Sequence, residues 1–243
     1  MSDATTEPTT DSATSLAART WTELERSSTT LLVPVGSCEQ HGPHLPMDTD
    51  TRIALAVAHG AARRLGPDVL VAPAINFGSS GEHEMFAGTV SIGQDALYTV
   101  LVELGRSAGR WMRRLVFVNG HGGNVAVLRR AVELLGAEGR DVRWWSCLLP
   151  PEFPRDGHAG RTETSLMLAL APGLVRTDRA EAGNVAPLIE LLPEMRAGGV
   201  GAVSPNGVLG DPAGASAAEG HRMLEALINA CVGVLTDGGS GER

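Results

Sequence analysis

The chain has 243 residues, 43% hydrophobic and 20% charged, with 28 acidic against 20 basic side chains and a formal charge of −8. This is an ordinary folded composition, long enough to bury roughly 75% of the unfolded surface around one core without a disulfide or metal staple. The acidic balance argues against a phosphate-tracking surface, and so against nucleic acid; every basic residue is arginine, which excludes P-loop and Schiff-base chemistry because both need a lysine amine.

From the amino end, Met1 to Ser15 is rich in Thr, Ser, Asp and Glu and lacks the basic and apolar regions of a signal peptide, so it reads as a disordered tail. The expected organisation is a tail over 1–16, one domain over 17–237 and a flexible end over 238–243. Thr29 to Val35 reads as a buried strand closed by Gly36, and a helix follows from Thr51 to Leu65 with Thr49 or Asp50 as its cap. Val69 to Ala72 is a second strand. The Gly-, Ser- and His-rich stretch from Asn76 to Gly93 is long for an idle connection. Then come a helix over Gln94 to Met112, a strand over Leu115 to Val118, a helix over Asn124 to Leu135 and a strand over Val142 to Leu148. A helix from Arg161 to Leu170, a Gly/Pro-rich loop from Gly198 to Ala215 and a helix from about Ser216 to Leu235 complete the chain. Alternating strands and helices predict an α/β fold with a mostly parallel sheet, helices on both faces, and ligands at the carboxyl ends of the strands.

The polar motifs fall at those ends. The run Gly36-Ser37-Cys38-Glu39-Gln40-His41-Gly42-Pro43-His44 continues to Asp48-Thr49-Asp50. In extended backbone Glu39 and His41 share a side, and Asp50 can return from the next helix start to complete an oxygen-and-imidazole set suited to Zn²⁺, Mn²⁺ or Fe²⁺. A solvated polar loop turning at Gly42-Pro43 is the plainer alternative. Asn119-Gly120-His121-Gly122-Gly123-Asn124 presents His121 at a strand tip. With Val125 at the last glycine position of G-x-G-x-x-G, a dinucleotide site is disfavoured. His158-Ala159-Gly160-Arg161-Thr162-Glu163 sets a histidine before a helix whose first turn holds Glu163, and Glu82 and His83 add an acid and an imidazole in the long loop. His59 and His221 lie within expected helices and read as structural or surface residues. Trp144 and Trp145 must point to opposite sheet faces, which makes one of them core and Trp145 a candidate pocket wall. Cys38, Cys147 and Cys231 are far apart and form no C-x-x-C, which fits a reducing cytoplasm, and no apolar run approaches the ~20 residues needed to span a bilayer. No G-x-S-x-G elbow appears, since the one match to that pattern, Gly105 to Gly109, falls inside the expected helix over Gln94 to Met112, and H-E-x-x-H is absent; serine hydrolases and single-zinc peptidases are disfavoured.

Taken in order, these motifs resemble the creatininase family of metal-dependent amidohydrolases: Glu39-x-His41 with Asp50 its first metal motif, Asn119 to Asn124 its second, His158 to Glu163 its third. The resemblance implies a single α/β/α layered domain in a homo-oligomer, a hexamer or similar, with two divalent ions per subunit (Fe²⁺, Zn²⁺ or Mn²⁺). It implies Glu39, His41, Asp50, His121 and Glu163 as ligands with Asp50 bridging, His158 as the acid/base, and Glu82, His83 and Trp145 as substrate contacts. Creatinine hydrolases carry an acidic ligand two residues after the histidine of the second motif, where this chain has Gly123; Glu163 is therefore taken as the fifth ligand. The segments at 36–54, 116–124, 158–165 and 203–215 are most similar to family members acting on a modified ribosomal precursor peptide. That likeness implies a peptidase releasing the modified C-terminal Val-Tyr unit, with creatinine- or formamide-type small amides as the alternative substrate class.

Overall fold

In the computed structural model, which describes residues 12–25, 29–153 and 156–236, strands β1 (Thr30–Val35), β2 (Val69–Val71), β3 (Arg114–Asn119) and β4 (Val142–Ser146) form one sheet in the order β2-β1-β3-β4. All three pairings are parallel. After the short helix α1 (Trp21–Leu24), the long helices are α2 (Thr49–Leu65), α3 (Gly93–Ala108), α4 (Val125–Ala137), α5 (Arg161–Leu170) and α6 (Leu188–Gly198). Helices α7 (Val200–Val203) and α8 (Ala217–Thr236) follow.

The alternating side chains of the strands divide the core in two. Leu31, Val33 and Val35 of β1 and Leu115 and Phe117 of β3 pack with α3 and α4, through residues such as Leu101 and Leu128. Leu32, Val116 and Val118 face the opposite way, onto Ile53 and Val57 of α2, Leu166 of α5 and Met223 and Leu227 of α8. Both central strands are buried on both faces, hence their nearly unbroken apolar runs. Pro34 is tolerated in β1 because β2 pairs only as far as Leu32, so no ladder bond to β2 is lost there.

Some boundaries differ from expectation. Helix α2 starts at Thr49 with Asp48 at the N-cap, so Asp50 lies in its first turn and its carboxylate is free for other partners. Helix α3 stops at Ala108 rather than Met112, with Gly109 as its C-cap. Strand β4 ends at Ser146, and Leu148 is largely exposed. Helix α6, with Pro193 inside it, was not anticipated, and α7 interrupts the expected loop over 198–215. Thr14 and Ser15, placed by the sequence in the tail, are buried: the Val71 N–H donates to the Thr14 carbonyl (2.8 Å) and Ser15 pairs with Val71. The folded part thus begins before residue 17; residues 1–11 and 237–243 lie outside those described.

The chain passes from β1 out to β2 and back to β3 on the other side of β1, so β1 and β3 diverge at the switch point where open α/β sheets bind ligands. Two glycines let α2 enter that crevice. A Cβ at Gly36 would collide with Thr51, and one at Gly120 with the Asp50 carbonyl. Replacing Gly120 by alanine should therefore destabilise the protein by roughly 1–3 kcal/mol, as overpacking does, read as a lower urea midpoint with unchanged slope; an unchanged midpoint would mean that α2 does not depend on this approach.

Candidate metal centre

The loop after β1, the first turn of α2, the loop after β3 and the start of α5 converge at the switch point. Glu39, His41, Asp50 and His121 are buried there, each 5% exposed or less. Asp50 stands in the middle. Its Oδ1 lies 3.1 Å from His41 Nε2, its Oδ2 lies 3.3 Å from His121 Nδ1, and Oδ2 also accepts from the Ser37 hydroxyl (2.7 Å). Two donor groups flank it: Glu39, Asp50 and His121 on one side, His41, His158 and Glu163 on the other, each with ligand atoms within 4.8 Å of one another. Glu39 also forms a third such group with His83 and His158.

The outer nitrogens of the histidines indicate which way their lone pairs face. His41 Nδ1 donates to the Glu39 carbonyl (3.1 Å) and His121 Nε2 to the Ser79 carbonyl (3.1 Å). Neutral rings held this way turn an unprotonated nitrogen inward, the arrangement that backbone carbonyls give to metal-ligating histidines. Both carboxylate oxygens of Glu39 are buried without a hydrogen-bond partner, although His121 Nδ1 and His83 Nε2 approach Oε1 at 3.2 and 3.4 Å. A buried anion so placed is costly unless a cation joins it, so the donor set suits divalent ions.

Glu163 Oε2 accepts the Ala159 N–H (2.6 Å), a contact made by holding Ala159 at φ 53°. Glycine at position 123 is required here, since a Cβ would strike the His121 ring and the Ser79 carbonyl and stand 2.7 Å from the Glu82 carboxylate. Glu82 Oε1 itself lies 3.6 Å from His121 Nε2. The cluster opens into a cavity of about 340 Å³ whose wall includes Glu82 and His83 and, on the apolar side, Leu188, Leu192 and Met195 of α6. No arginine lines it among the described residues.

Trp145 is the one expected site residue that the structure does not bring here. It packs instead against the core beneath α2, α5 and α8, because the site lies at the strand ends while Trp145 stands on a sheet face. Trp144 is buried on the other face. His44, also buried, sits apart from the cluster with Nε2 on the Thr164 hydroxyl (2.9 Å). Gln40, which sequence motifs did not single out, is buried among the histidines, with its side-chain nitrogen 2.9 Å from His83 Nδ1, 3.1 Å from His158 Nε2 and 3.0 Å from the Gly207 carbonyl.

Charges in the metal-free site follow from burial against pairing. Burial opposes protonation of His41, but the Asp50 carboxylate outweighs it and raises the ring to about 10. For His121 burial is likewise overcome, by Glu39 and Asp50, and its pKa stands well above normal. Burial pushes Glu39 up while His121 pulls it down, to about 2. His83 and His158 lose more to burial than neighbouring carboxylates return and fall to about 4 and about 3. Burial lifts Glu163 to about 7.

A model of the creatininase family, described as creatinine amidohydrolase, matches residues 17–235. The mycofactocin precursor peptide peptidase of Mycobacterium tuberculosis (strain CDC 1551 / Oshkosh) is 57% identical over 225 residues, which cover 89% of this chain and 88% of that protein. A solved creatininase described with Mn superposes with a TM-score of 0.80 at 28% identity, covering 95% of this chain and 100% of the other. A mutant creatininase of the Zn-Zn type gives 0.79 at 28% identity, with 95% and 99% covered.

If His41 and His121 are ligands, the metal must displace their protons. His41 holds its proton up to about 10 in the metal-free protein, so between neutrality and that pH the apparent zinc affinity should rise about tenfold per unit for each proton released. Zinc titrations with a pH indicator, repeated from pH 7 to 9, would record both the release and the slope; a flat profile would exclude these histidines as ligands.

Proposed function

The chain belongs to the creatininase family, and on that footing we propose a metal-dependent peptidase that hydrolyses the amide before the modified C-terminal Val-Tyr unit of the mycofactocin precursor peptide. The observation that carries the two-metal reading is Asp50, whose two oxygens face two separate donor groups. We assign Glu39, Asp50 and His121 to one ion and His41, Asp50 and Glu163 to the other, with Fe²⁺, Zn²⁺ or Mn²⁺ all compatible with such a set. Two bound ions would lower the pKa of a shared water and polarise the scissile carbonyl.

The protein's own part is to carry the proton and to select the substrate. His158 keeps Nε2–H on the Gln40 carbonyl (2.7 Å), so its Nδ1 faces the cluster and can take a proton from the attacking water and pass it to the leaving amine. The apolar residues of α6 on one side of the cavity suit the apolar surface of the modified Val-Tyr unit. Glu82 and His83 on the wall are assigned to holding the substrate. The homo-oligomer belongs to this reading through the family, and the cytoplasmic location through Cys38, Cys147 and Cys231, all free thiols. Among the described residues no helix is long and apolar enough to cross a membrane.

The decisive assay is mass-spectrometric detection of the released two-residue unit from the modified precursor peptide, with chelated protein beside protein reloaded with Fe²⁺, Zn²⁺ or Mn²⁺. Metal-dependent release is expected; turnover of creatinine or a formamide without peptide cleavage would transfer the site to that small-amide substrate class. His158→Ala should lower kcat by about 10²–10⁴, the usual worth of a placed acid/base, while metal content by atomic absorption stays at the wild-type value. Loss of metal instead would make His158 a ligand.

A further inference from the structure

Four histidines surround the cluster, and three share one pattern. His41, His121 and His158 each set the ring nitrogen remote from the pocket on a main-chain carbonyl, that of Glu39, Ser79 and Gln40 respectively. A carbonyl oxygen only accepts, so in the neutral ring the proton sits on the remote nitrogen and a lone pair faces the ions. His83 is the exception. Its Nδ1 lies 2.9 Å from the side-chain nitrogen of Gln40.

The polarity of that contact depends on which way the Gln40 amide points, and two backbone groups decide it. Gln40 Oε1 lies 2.8 Å from the Gly42 N–H, which can only donate, and Nε2 lies 3.0 Å from the Gly207 carbonyl, which can only accept. A flipped amide would lose both bonds. Nε2 also lies 3.1 Å from His158 Nε2, but that nitrogen donates to the Gln40 main-chain carbonyl and cannot accept, so one amide hydrogen serves Gly207 and the other is directed to His83 Nδ1, which must accept it. Gly207, at φ +79°, is required for this cradle, because a Cβ there would collide with the Gln40 amide. The proton of neutral His83 is left on Nε2, which points to Glu39 Oε1 (3.4 Å) at the wall of the cavity.

We propose that Gln40 is a positioning residue that fixes His83 in the Nε2-protonated tautomer, so that His83 presents a hydrogen-bond donor to the metal pocket where its three neighbours present lone pairs. That N–H stands 3.4 Å from the Glu39 carboxylate and offers a donor to an oxygen of the bound amide, a contact that strengthens as negative charge develops on that oxygen. The ring beside it is the same Nε2–H tautomer turned the other way, since His158 gives its Nε2–H to the Gln40 carbonyl and leaves its Nδ1 lone pair to the pocket. The two stacked imidazoles, with centroids 4.5 Å apart, are thus divided into donor and acceptor by one residue, His158 through its carbonyl and His83 through its amide.

Neutron diffraction of the deuterium-exchanged, zinc-loaded wild-type protein tests the tautomers directly. Deuterium is expected on Nε2 of His83 and of His158 and absent from His83 Nδ1; deuterium on His83 Nδ1 would overturn the proposal. In Q40E an acceptor replaces the amide donor, so the deuteron should move to His83 Nδ1, with kcat lowered roughly ten- to a hundredfold, as for other groups behind a metal shell, and KM little changed. His83→Phe removes the donor outright, and if Gln40 acts through His83 the double variant should lose no more than His83→Phe alone; additive losses would overturn the proposal. The kinetic arm rests on the amide-hydrolase reading, whereas the diffraction arm needs no substrate, so failure of one is distinguishable from failure of the other.

Discussion

Everything at the centre depends on a buried carboxylate shared between two imidazoles. Asp50 can occupy that place because it belongs to the first turn of α2, where a negative charge is favoured by the helix dipole, and because Gly36 and Gly120 allow the turn to press against the ends of β1 and β3. Ser37 secures one of its oxygens, leaving the carboxylate a fixed orientation with a histidine on each side. A helix end, two strand ends and one anion thus hold each other in place.

Without ions the cluster is a poorly compensated arrangement of charges. His41 and His121 are pulled toward the protonated state while His83 and His158 are pushed away from it, although all four occupy one buried neighbourhood. Burial and the like charge of the neighbouring rings hold His83 and His158 down, whereas His41 and His121 stand directly against carboxylates. His41 lies 3.1 Å from Asp50 and His121 lies 3.2 Å from Glu39, whereas His158 Nδ1 is 3.9 Å from Glu39. Divalent ions would replace the two borrowed protons with charge that the carboxylates can bind permanently, which is the sense in which this site is built for metal rather than merely polar.

The fold and most of the site could be read in the sequence because their signals are local. Apolar runs ending in glycine gave β1 and β3, the helix over Arg161 to Leu170 has its expected bounds, and each candidate ligand sits within a few residues of a strand or helix end. Signals of long range could not be read. Gln40 looks like a spacer between Glu39 and His41, and its importance appears only when residues 43, 118 and 167 positions away gather around its amide. Helix α6 was hidden by Pro193, which normally argues against a helix interior. The period of two in β4 correctly separated Trp144 from Trp145, yet periodicity alone does not tell a face of the sheet from its ligand-binding end.

The pairing of Thr14 and Ser15 with Val71 lies on the outer side of β2, the last strand on that side of the sheet. Left bare, Val69 to Val71 would offer a short apolar row of unsatisfied backbone groups, the kind of edge on which chains aggregate. Trimming residues 12–16 from an expression clone would spare every side chain assigned to the chemistry and still uncover that edge. A segment with no part in hydrolysis thus bears directly on how well the enzyme stays dispersed at high concentration.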